Sequence, residues 1–271
     1  MNAKSETAAT FHRLHEGPEP LLLANAWDAG SARLMESLGA KAVATTSAGV
    51  AWTHGYPDGD VLPVRMLVST VVAIARAIRV PLTVDVEGGY SNEPAAVEES
   101  VARVVEAGAV GINIEDGSGA PDSLCRKIER AKRAGQHIAV DLFVNARTDV
   151  YLRGLAPEGK RVAETLSRAK LYRNAGASGI FVPGLRDAGE IRAVAAEAGL
   201  PLNVMAWPGL PPAAELTRLG VRRLSAGSGI AQAAWGKAAS LAADFLKSGR
   251  SEPLGDGAMA YPAINALFDR R

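Results

Sequence analysis

Two stretches of the chain carry carboxylates in a pattern that could do chemistry. Val84-Asp85-Val86-Glu87-Gly88-Gly89-Tyr90 and Ile112-Asn113-Ile114-Glu115-Asp116 each begin as a short apolar run, end in acids and pass into a glycine-containing loop. Apolar runs of this length read as buried strands. Carboxylates at the end of such a strand are costly to bury unless something pairs them. Two clusters one helical crossover apart point to a shared cation, and a donor set of oxygens alone suits Mg2+ or Mn2+ better than zinc. A third stretch, Asn145-Ala146-Arg147-Thr148-Asp149, supplies an arginine whose planar fork could hold a substrate carboxylate. In a fourth, Thr45-Thr46-Ser47-Ala48-Gly49, the residues are small enough for backbone N–H groups to approach an anion.

The elements that must position these residues alternate along the chain. Strand-like runs lie at residues 20–24, 41–44, 81–86, 110–114, 138–145, 179–182, 202–205 and 221–224, which makes eight. Helical periodicity occupies 63–78, 93–106, 161–174 and 187–198 between them. Leu38-Gly39-Ala40, Ala107-Gly108-Ala109, Ala175-Gly176-Ala177 and Leu219-Gly220-Val221 each read as a glycine helix stop leading into the next strand. This recurring βα unit predicts a single-domain (β/α)8 barrel over residues 1–271. An extra C-terminal helix is expected after the Gly/Pro-containing stretch 248–257, with segment 250–271 packing on the barrel or on a neighbouring subunit. A doubly wound open sheet would need a glycine fingerprint after its first strand, where this chain has Asn25-Ala26-Trp27-Asp28.

In such a barrel the chemistry sits at the C-terminal ends of the strands. Those ends carry Asn25, Trp27 and Asp28, then Thr46, Ser47 and Gly49, then Asp85 and Glu87, then Asn113, Glu115 and Asp116, then Asn145, Arg147, Thr148 and Asp149, and finally Asn203. Some of these have simpler roles open to them. Asp28 could cap the first barrel helix. Asp116 reads as a capping or supporting group before it reads as a ligand, and Thr148-Asp149 could start a helix. His12 and His15 fall in a polar N-terminal helix and read as solvated. His54 lies in a loop, and His137 precedes a strand, at the wrong end for chemistry. Trp207 and Trp235 read as packing.

Composition narrows the class. Across 271 residues, 48% hydrophobic content is enough for a large core, and 30 Lys+Arg balance 29 Asp+Glu. That balance leaves no electrostatic footprint for nucleic acid or an anionic membrane, so neither is expected as a partner. No apolar run is long enough to span a bilayer, and residues 1–15 lack a signal-peptide core. Cys125 stands alone, which excludes an intrachain disulfide and a multi-cysteine zinc site. The expected location is the reducing cytoplasm.

The motifs together resemble the isocitrate lyase / phosphoenolpyruvate mutase superfamily. The matching pieces are Asn25-Ala26-Trp27-Asp28, Thr46-Ser47-Ala48-Gly49, Gly55-Tyr56-Pro57-Asp58, Asp85-x-Glu87-Gly-Gly-Tyr90, Asn113-Ile114-Glu115-Asp116 and Asn145-Ala146-Arg147-Thr148-Asp149, spread from about residue 21 to 246. The resemblance implies a (β/α)8 barrel that assembles as a homodimer or homotetramer and exchanges its eighth helix. It implies Mg2+ and a 2-oxo acid or its enolate. Asp85 would then ligate the metal directly, with Glu87, Glu115 and Asp58 reaching it largely through water. Arg147 would grip the substrate carboxylate. Thr46, Ser47 and Gly49 would line its pocket, with Trp27, Asn113 and Asn203 as further substrate contacts.

Departures from the family pattern bear on the reaction. Where the family usually has Asp-x-Asp-Thr-Gly-Tyr-Gly, this chain has Asp85-Val86-Glu87-Gly88-Gly89-Tyr90-Ser91. The Lys-(Lys/Arg)-Cys-Gly-His lid of the family's carbon–carbon lyases is replaced by a short run from Gly117 to Arg126, in which Cys125 lacks that context and falls at the start of the next helix. The Lys-Thr-Asn-Ser lid element of the phosphonate-active members is also missing. The expected activity is a Mg2+-dependent carbon–carbon lyase or decarboxylase acting on a small 2-oxo or 2-hydroxy acid, oxaloacetate-like or methylisocitrate-like. Arg147 and Glu115 would work at the reacting centre, with Tyr90 as a candidate acid. Phosphonopyruvate hydrolysis or phosphoenolpyruvate mutation is the alternative within the fold. A barrel that binds 2-oxo acids with little turnover is the alternative outside catalysis.

Overall fold

The computed structural model describes residues 3–269. The outermost residues of the expected domain, 1–2 and 270–271, lie outside the described residues. In chain order the elements are α1 (Ala3–Arg13), β1 (Leu21–Leu23), β2 (Asn25–Ala26), α2 (Ala29–Ser37), β3 (Val43–Thr45), α3 (Ser47–Thr53), α4 (Val64–Ala77), β4 (Leu82–Asp85), α5 (Pro94–Glu106), β5 (Gly111–Glu115), α6 (Pro121–His137) and β6 (Phe143–Arg147). They continue with α7 (Arg161–Asn174), β7 (Gly179–Phe181), α8 (Ala188–Glu197), β8 (Leu202–Met205), α9 (Ala213–Arg218), β9 (Arg223–Ser225), α10 (Gly229–Ser248) and α11 (Tyr261–Ala266). All strand pairs are parallel, in the order β1-β9-β8-β7-β6-β5-β4-β3-β2. The fold is the expected (β/α)8 barrel, and the ninth strand is a division of the first. β1 pairs with β9, and after Ala24 the chain continues as β2, paired with β3. Asn25 ties this closure together: its Nδ2 donates to Thr45 O at 2.9 Å, and its Oδ1 accepts from Gly227 N at 2.9 Å.

The periodicity that predicts the helices also buries them. α4 turns Leu67, Thr70, Val71 and Ile74 inward, and α5 turns in Val97, Val101, Val104 and Val105. Each fully buried Val, Leu or Ile contributes roughly 1.5–3 kcal/mol of transfer free energy. The four glycine helix stops, Gly39, Gly108, Gly176 and Gly220, all take positive φ between 90° and 127°. That conformation costs a side-chain-bearing residue about 1–2 kcal/mol and costs glycine nothing steric.

Two expectations are corrected. The run 138–145 is not one strand. α6 continues to His137, the backbone turns through Ala139 at φ 57°, and β6 begins at Phe143. Val140 and Leu142 are buried in that turn, which is why the sequence there looks like a strand. His15 is not solvated. α1 lies across the N-terminal end of the barrel as a plug, with Phe11 fully buried and His15 stacked on Phe143 at 4.1 Å. Gly111 makes room for the plug, since a Cβ there would sit 2.7 Å from Phe11 Cε1. His15 Nδ1 donates to Phe11 O at 2.8 Å, its Nε2 is buried without a partner, and burial, then Arg223, pull its pKa down to about 3. His12 is partly exposed, beside Asp141.

α10 does not cover its own barrel. Most of its length is exposed, including Trp235, Phe245 and Leu246. Leu22, which points outward from β1, is 54% exposed as a result. A groove of about 590 Å³ remains there, lined by Leu14, Pro20, Leu22, Met35 and Leu38 among others. The C-terminal segment returns to the barrel, where Leu267 O accepts from Arg33 Nε at 2.6 Å. Among the described residues no helix is long and apolar enough to cross a membrane.

Candidate active site at the barrel mouth

Asp85, Glu115 and Arg147 are the last residues of β4, β5 and β6, so the sheet sets them side by side. Glu115 and Arg147 are register partners and form an ion pair, Nη1 to Oε2, at 2.6 Å. Arg147 forks onto Asp149 as well, with Nε to Oδ1 at 2.7 Å and Nη2 to Oδ2 at 3.2 Å. Three of its five N–H donors are used in this way, which leaves one on each terminal nitrogen for a ligand. Burial opposes the arginine's charge, but Glu115 and Asp149 outweigh it and hold the guanidinium protonated.

Asp149 and Asp116 are what hold this arginine still. The fully buried Asp149 carboxylate also accepts from Arg153 Nε at 2.8 Å, and its backbone N–H donates to Asp116 Oδ1 at 2.9 Å. Asp116 Oδ2 accepts from Arg168 Nη1 at 2.8 Å and from Tyr172 OH at 2.6 Å. Asp116 is thus the supporting group the sequence suggested, and Asp149 supports Arg147, with no helix starting at Thr148-Asp149. Asp28 does cap α2, accepting from Ser31 N at 2.7 Å.

The acids at the mouth crowd one another. Burial raises the pKa of Asp85; Arg147 opposes this and Asp58 adds to it. Burial raises Glu115 to about 8, with Arg147 opposing and Asp85 and Asp149 adding. Glu87 rises to about 7, first through burial. A bound cation would offset the burial that disfavours the ionised form of these carboxyls, so the donor chemistry fits a hard divalent ion. Among the described residues no three His, Cys, Asp or Glu side chains form a ready-made cage.

Other expected residues are placed as follows. Thr46 precedes α3, and Ser47 and Gly49 lie in its first turn, where the N–H groups lack intrahelical acceptors. A Cβ on Gly49 would approach Thr46 Cγ2 and Trp27 Cβ to 2.8 Å, so glycine permits the half-buried Trp27 to pack there. Asn113 lies in the middle of β5, its Oδ1 accepting from Asn145 Nδ2 at 2.9 Å and from Arg223 Nη2 at 3.0 Å. Asn203 is the second residue of β8 and sits inside the barrel, accepting from Ser225 Oγ at 3.2 Å. Tyr90 OH donates to Glu87 Oε1 at 3.0 Å, and burial and Glu87 push its pKa upward, which makes it a weaker acid. His54 Nε2 meets Thr70 Oγ1 on α4; Trp235 is exposed but lies edge-on to Trp52 at 6.4 Å, and Trp207 is exposed. Cys125 is in the second turn of α6, half-buried, with its thiol pushed up by burial.

Two residues escaped the sequence reading. Arg223 is fully buried on the barrel axis, with Nε and Nη1 unpartnered, and burial pulls its pKa to about 9 against the opposing charge of Asp85. Its signal was the alternation Val221, Arg223, Ser225, which puts an arginine on an inward-facing register. Asp60 accepts from Gly88 N and Tyr90 N, and only its nearness to Asp58 could have drawn attention to it.

Comparison with known proteins bears on the family and the fold. A family model described as phosphoenolpyruvate phosphomutase matches residues 11–246. An uncharacterized protein of Mycobacterium tuberculosis (strain H37Rv) is 39% identical over 229 residues, 81% of this chain and 82% of that one. The oxaloacetate decarboxylase of Pseudomonas aeruginosa (strain PAO1) is 29% identical over 230 residues, covering 80% and 77%. A crystal structure from Burkholderia cenocepacia J2315, provisionally described as a phosphonomutase, superposes with a TM-score of 0.83 at 41% identity, covering 88% of this chain and 99% of that one. At 22% identity the fold is also that of phosphonopyruvate hydrolase, solved with oxalate and Mg2+, with a TM-score of 0.83. The motifs, the barrel and the family model agree: this chain belongs to the phosphoenolpyruvate phosphomutase family of the isocitrate lyase / phosphoenolpyruvate mutase superfamily.

Proposed function

We propose that the protein is a Mg2+-dependent carbon–carbon lyase or decarboxylase acting on a small 2-oxo or 2-hydroxy carboxylic acid, oxaloacetate-like or methylisocitrate-like, through an enolate. The observation that carries this reading is the pairing of the Asp85–Glu115–Arg147 mouth with a short connection, residues 116–120, between β5 and α6. Bound at Asp85, with Glu115 and Asp58 nearby, Mg2+ would act as a Lewis acid on the oxo and carboxylate oxygens. The two free N–H groups of Arg147 would hold the substrate carboxylate, and the arginine's fixed positive charge would favour the enolate that forms when the neighbouring bond breaks. Loss of CO2 from oxaloacetate leaves the pyruvate enolate, which takes one proton from solvent to give pyruvate. No protein acid is needed for that step, in keeping with the upward-shifted Tyr90 and with Cys125 set in α6.

Oxaloacetate with Mg2+ and protein should lose CO2 faster than with Mg2+ alone. Conversion of phosphonopyruvate, with oxaloacetate left at the metal-only rate, would move the assignment to the hydrolase or mutase alternative. Tight 2-oxo acid binding with no turnover of either would favour a binding protein.

The homo-oligomer belongs to the same reading. The apolar face of α10 and the bare groove over Leu22 and Leu38 are two unpartnered surfaces on one chain, and a second copy supplies the complement of each. A dimer that exchanges α10, or a pair of such dimers, covers both. Light scattering should give a dimer or tetramer mass, and Leu22→Asp should lower it. A reducing cytoplasm suits the lone Cys125.

A further inference from the structure

The loop after α3 and the loop after β4 are locked together by two acids. Glu87 Oε2 accepts from Gly59 N at 2.8 Å and from Asp60 N, and its Oε1 accepts from Tyr90 OH at 3.0 Å. In return, Asp60 Oδ1 accepts from Gly88 N at 3.1 Å and from Tyr90 N at 2.9 Å. Lys127 Nζ on α6 closes the far side, donating to Gly88 O at 2.6 Å. Each acid therefore satisfies the backbone of the other's loop.

The backbone at this lock is held in an unfavourable form. Asp60, Glu87 and Tyr90 take φ of 59°, 51° and 57°, and the other non-glycine residue with positive φ among the described residues is Ala139. Such conformations persist only where the surroundings over-determine them, and they gather at functional sites. A Cβ on Gly88 would lie 2.5 Å from Asp60 Oδ2, so any side chain there would have to push that carboxylate aside. Asp58 directly precedes Gly59 and Asp60, the two residues whose amides Glu87 holds.

We infer that Glu87 is a positioning residue: its carboxylate latches the 55–62 loop onto the barrel mouth and so delivers Asp58 to the side of Asp85, in place of the metal-shell role implied by the family motif. Reach is what the glutamate adds. An aspartate at 87 keeps the charge but is one methylene too short to serve both amides. A glutamine keeps the reach and an acceptor oxygen but loses the charge. The role of Asp58 rests on the cation site proposed above; the latch does not.

The test sets Glu87→Asp against Glu87→Gln in two measurements, amide hydrogen exchange by NMR and Mg2+ titration by calorimetry. Glu87→Gln should keep the Gly59 and Asp60 amides as protected as in the wild type, and Mg2+ affinity within about threefold. Glu87→Asp should lose at least tenfold of the protection at those two amides, while Val84 and Ile112 in the strands stay protected and report an intact barrel. Its Mg2+ affinity should fall, and Asp58→Asn should cost affinity in the wild type but nothing further in Glu87→Asp. The reverse order, with aspartate tolerated and glutamine not, would make Glu87 a metal-shell group and overturn the latch. Unchanged exchange at Gly59 and Asp60 in Glu87→Asp would overturn it too. A wild-type protein that binds no Mg2+ would refute the cation site instead, and exchange alone would then decide the latch.

Discussion

Replacing Arg147 with lysine separates charge from geometry at the barrel mouth. The arginine makes three charge-assisted bonds in one plane, to Glu115 Oε2 at 2.6 Å and to the two oxygens of Asp149 at 2.7 and 3.2 Å, with Phe181 against its face at 5.9 Å. A lysine ammonium has three donors in a tetrahedral array and no fork. Once it satisfies Glu115 and Asp149, it has no parallel N–H pair left for a substrate carboxylate. A hydrogen bond to a charged group is worth about 1.5–3 kcal/mol, so one lost fork arm weakens ligand binding by roughly ten- to a hundredfold. Calorimetric titration with oxalate in saturating Mg2+ measures this directly, and a thermal melt beside it reports whether the barrel survives. Arg147→Met should behave differently: it removes the charge, strands two acids, and costs about 3–5 kcal/mol of stability, as when one partner of a buried pair is deleted. If Arg147→Lys bound oxalate within twofold of the wild type, carboxylate capture by this arginine would be wrong.

Three further outcomes follow from the same structure. Asp85→Ala should abolish Mg2+-dependent binding in calorimetry while circular dichroism shows the barrel folded; unchanged Mg2+ affinity would refute the cation site. Cys125→Ser should keep most of the turnover, and a loss of two orders of magnitude would restore a cysteine acid. His15 should make the fold acid-sensitive: its pKa is 6.5 unfolded and about 3 folded, so its stability contribution is complete above pH 6.5 and is lost as pH falls toward 3. At pH 4.5 that amounts to about 3 kcal/mol, and in urea titrations His15→Asn should flatten the slope across this window.

Much of the barrel was legible because its signals are local and repeated. The glycine stops at 39, 108, 176 and 220, the periodic helices and the apolar strand runs each follow from neighbours in the chain. The line of acids at strand ends was legible for a similar reason, since a parallel barrel places all strand ends on one face. What was hidden depended on contacts distant in sequence. His15 looks like a solvated helix residue until α1 is seen to plug the barrel against Gly111 and Phe143. Arg223 looks like half of an ordinary Arg-Arg pair until the register turns it inward toward Asn113. Glu87 could be read as a longer copy of a metal-shell aspartate, because no sequence pattern shows which way a carboxylate points. The exposure of Leu22 and α10 has the same origin: no local pattern in the sequence says which surface a helix packs against.

The two sides of the mouth are built differently, and the difference bears on which reaction the site can run. On one side, contacts run without a gap from Tyr172 and Arg168 through Asp116 and Asp149 to Arg147 and Glu115. Every member is fixed by its neighbour, so the arginine's free N–H groups are aimed before a ligand arrives, and preorganised charge of this kind costs no rearrangement during reaction. By contrast, the rest of the connection from β5 to α6 that follows Asp116 is Gly117-Ser118-Gly119-Ala120, with Gly117 at φ 53° and residues 118–120 exposed. A loop so short and so rich in glycine brings no acid of its own over the centre, and little to keep water out. An enolate formed against the rigid side can take its proton from that water and become product. A phosphoryl group released there would be captured by the same water before it could return to the substrate. The asymmetry therefore favours carbon–carbon cleavage or decarboxylation over phosphoryl mutation.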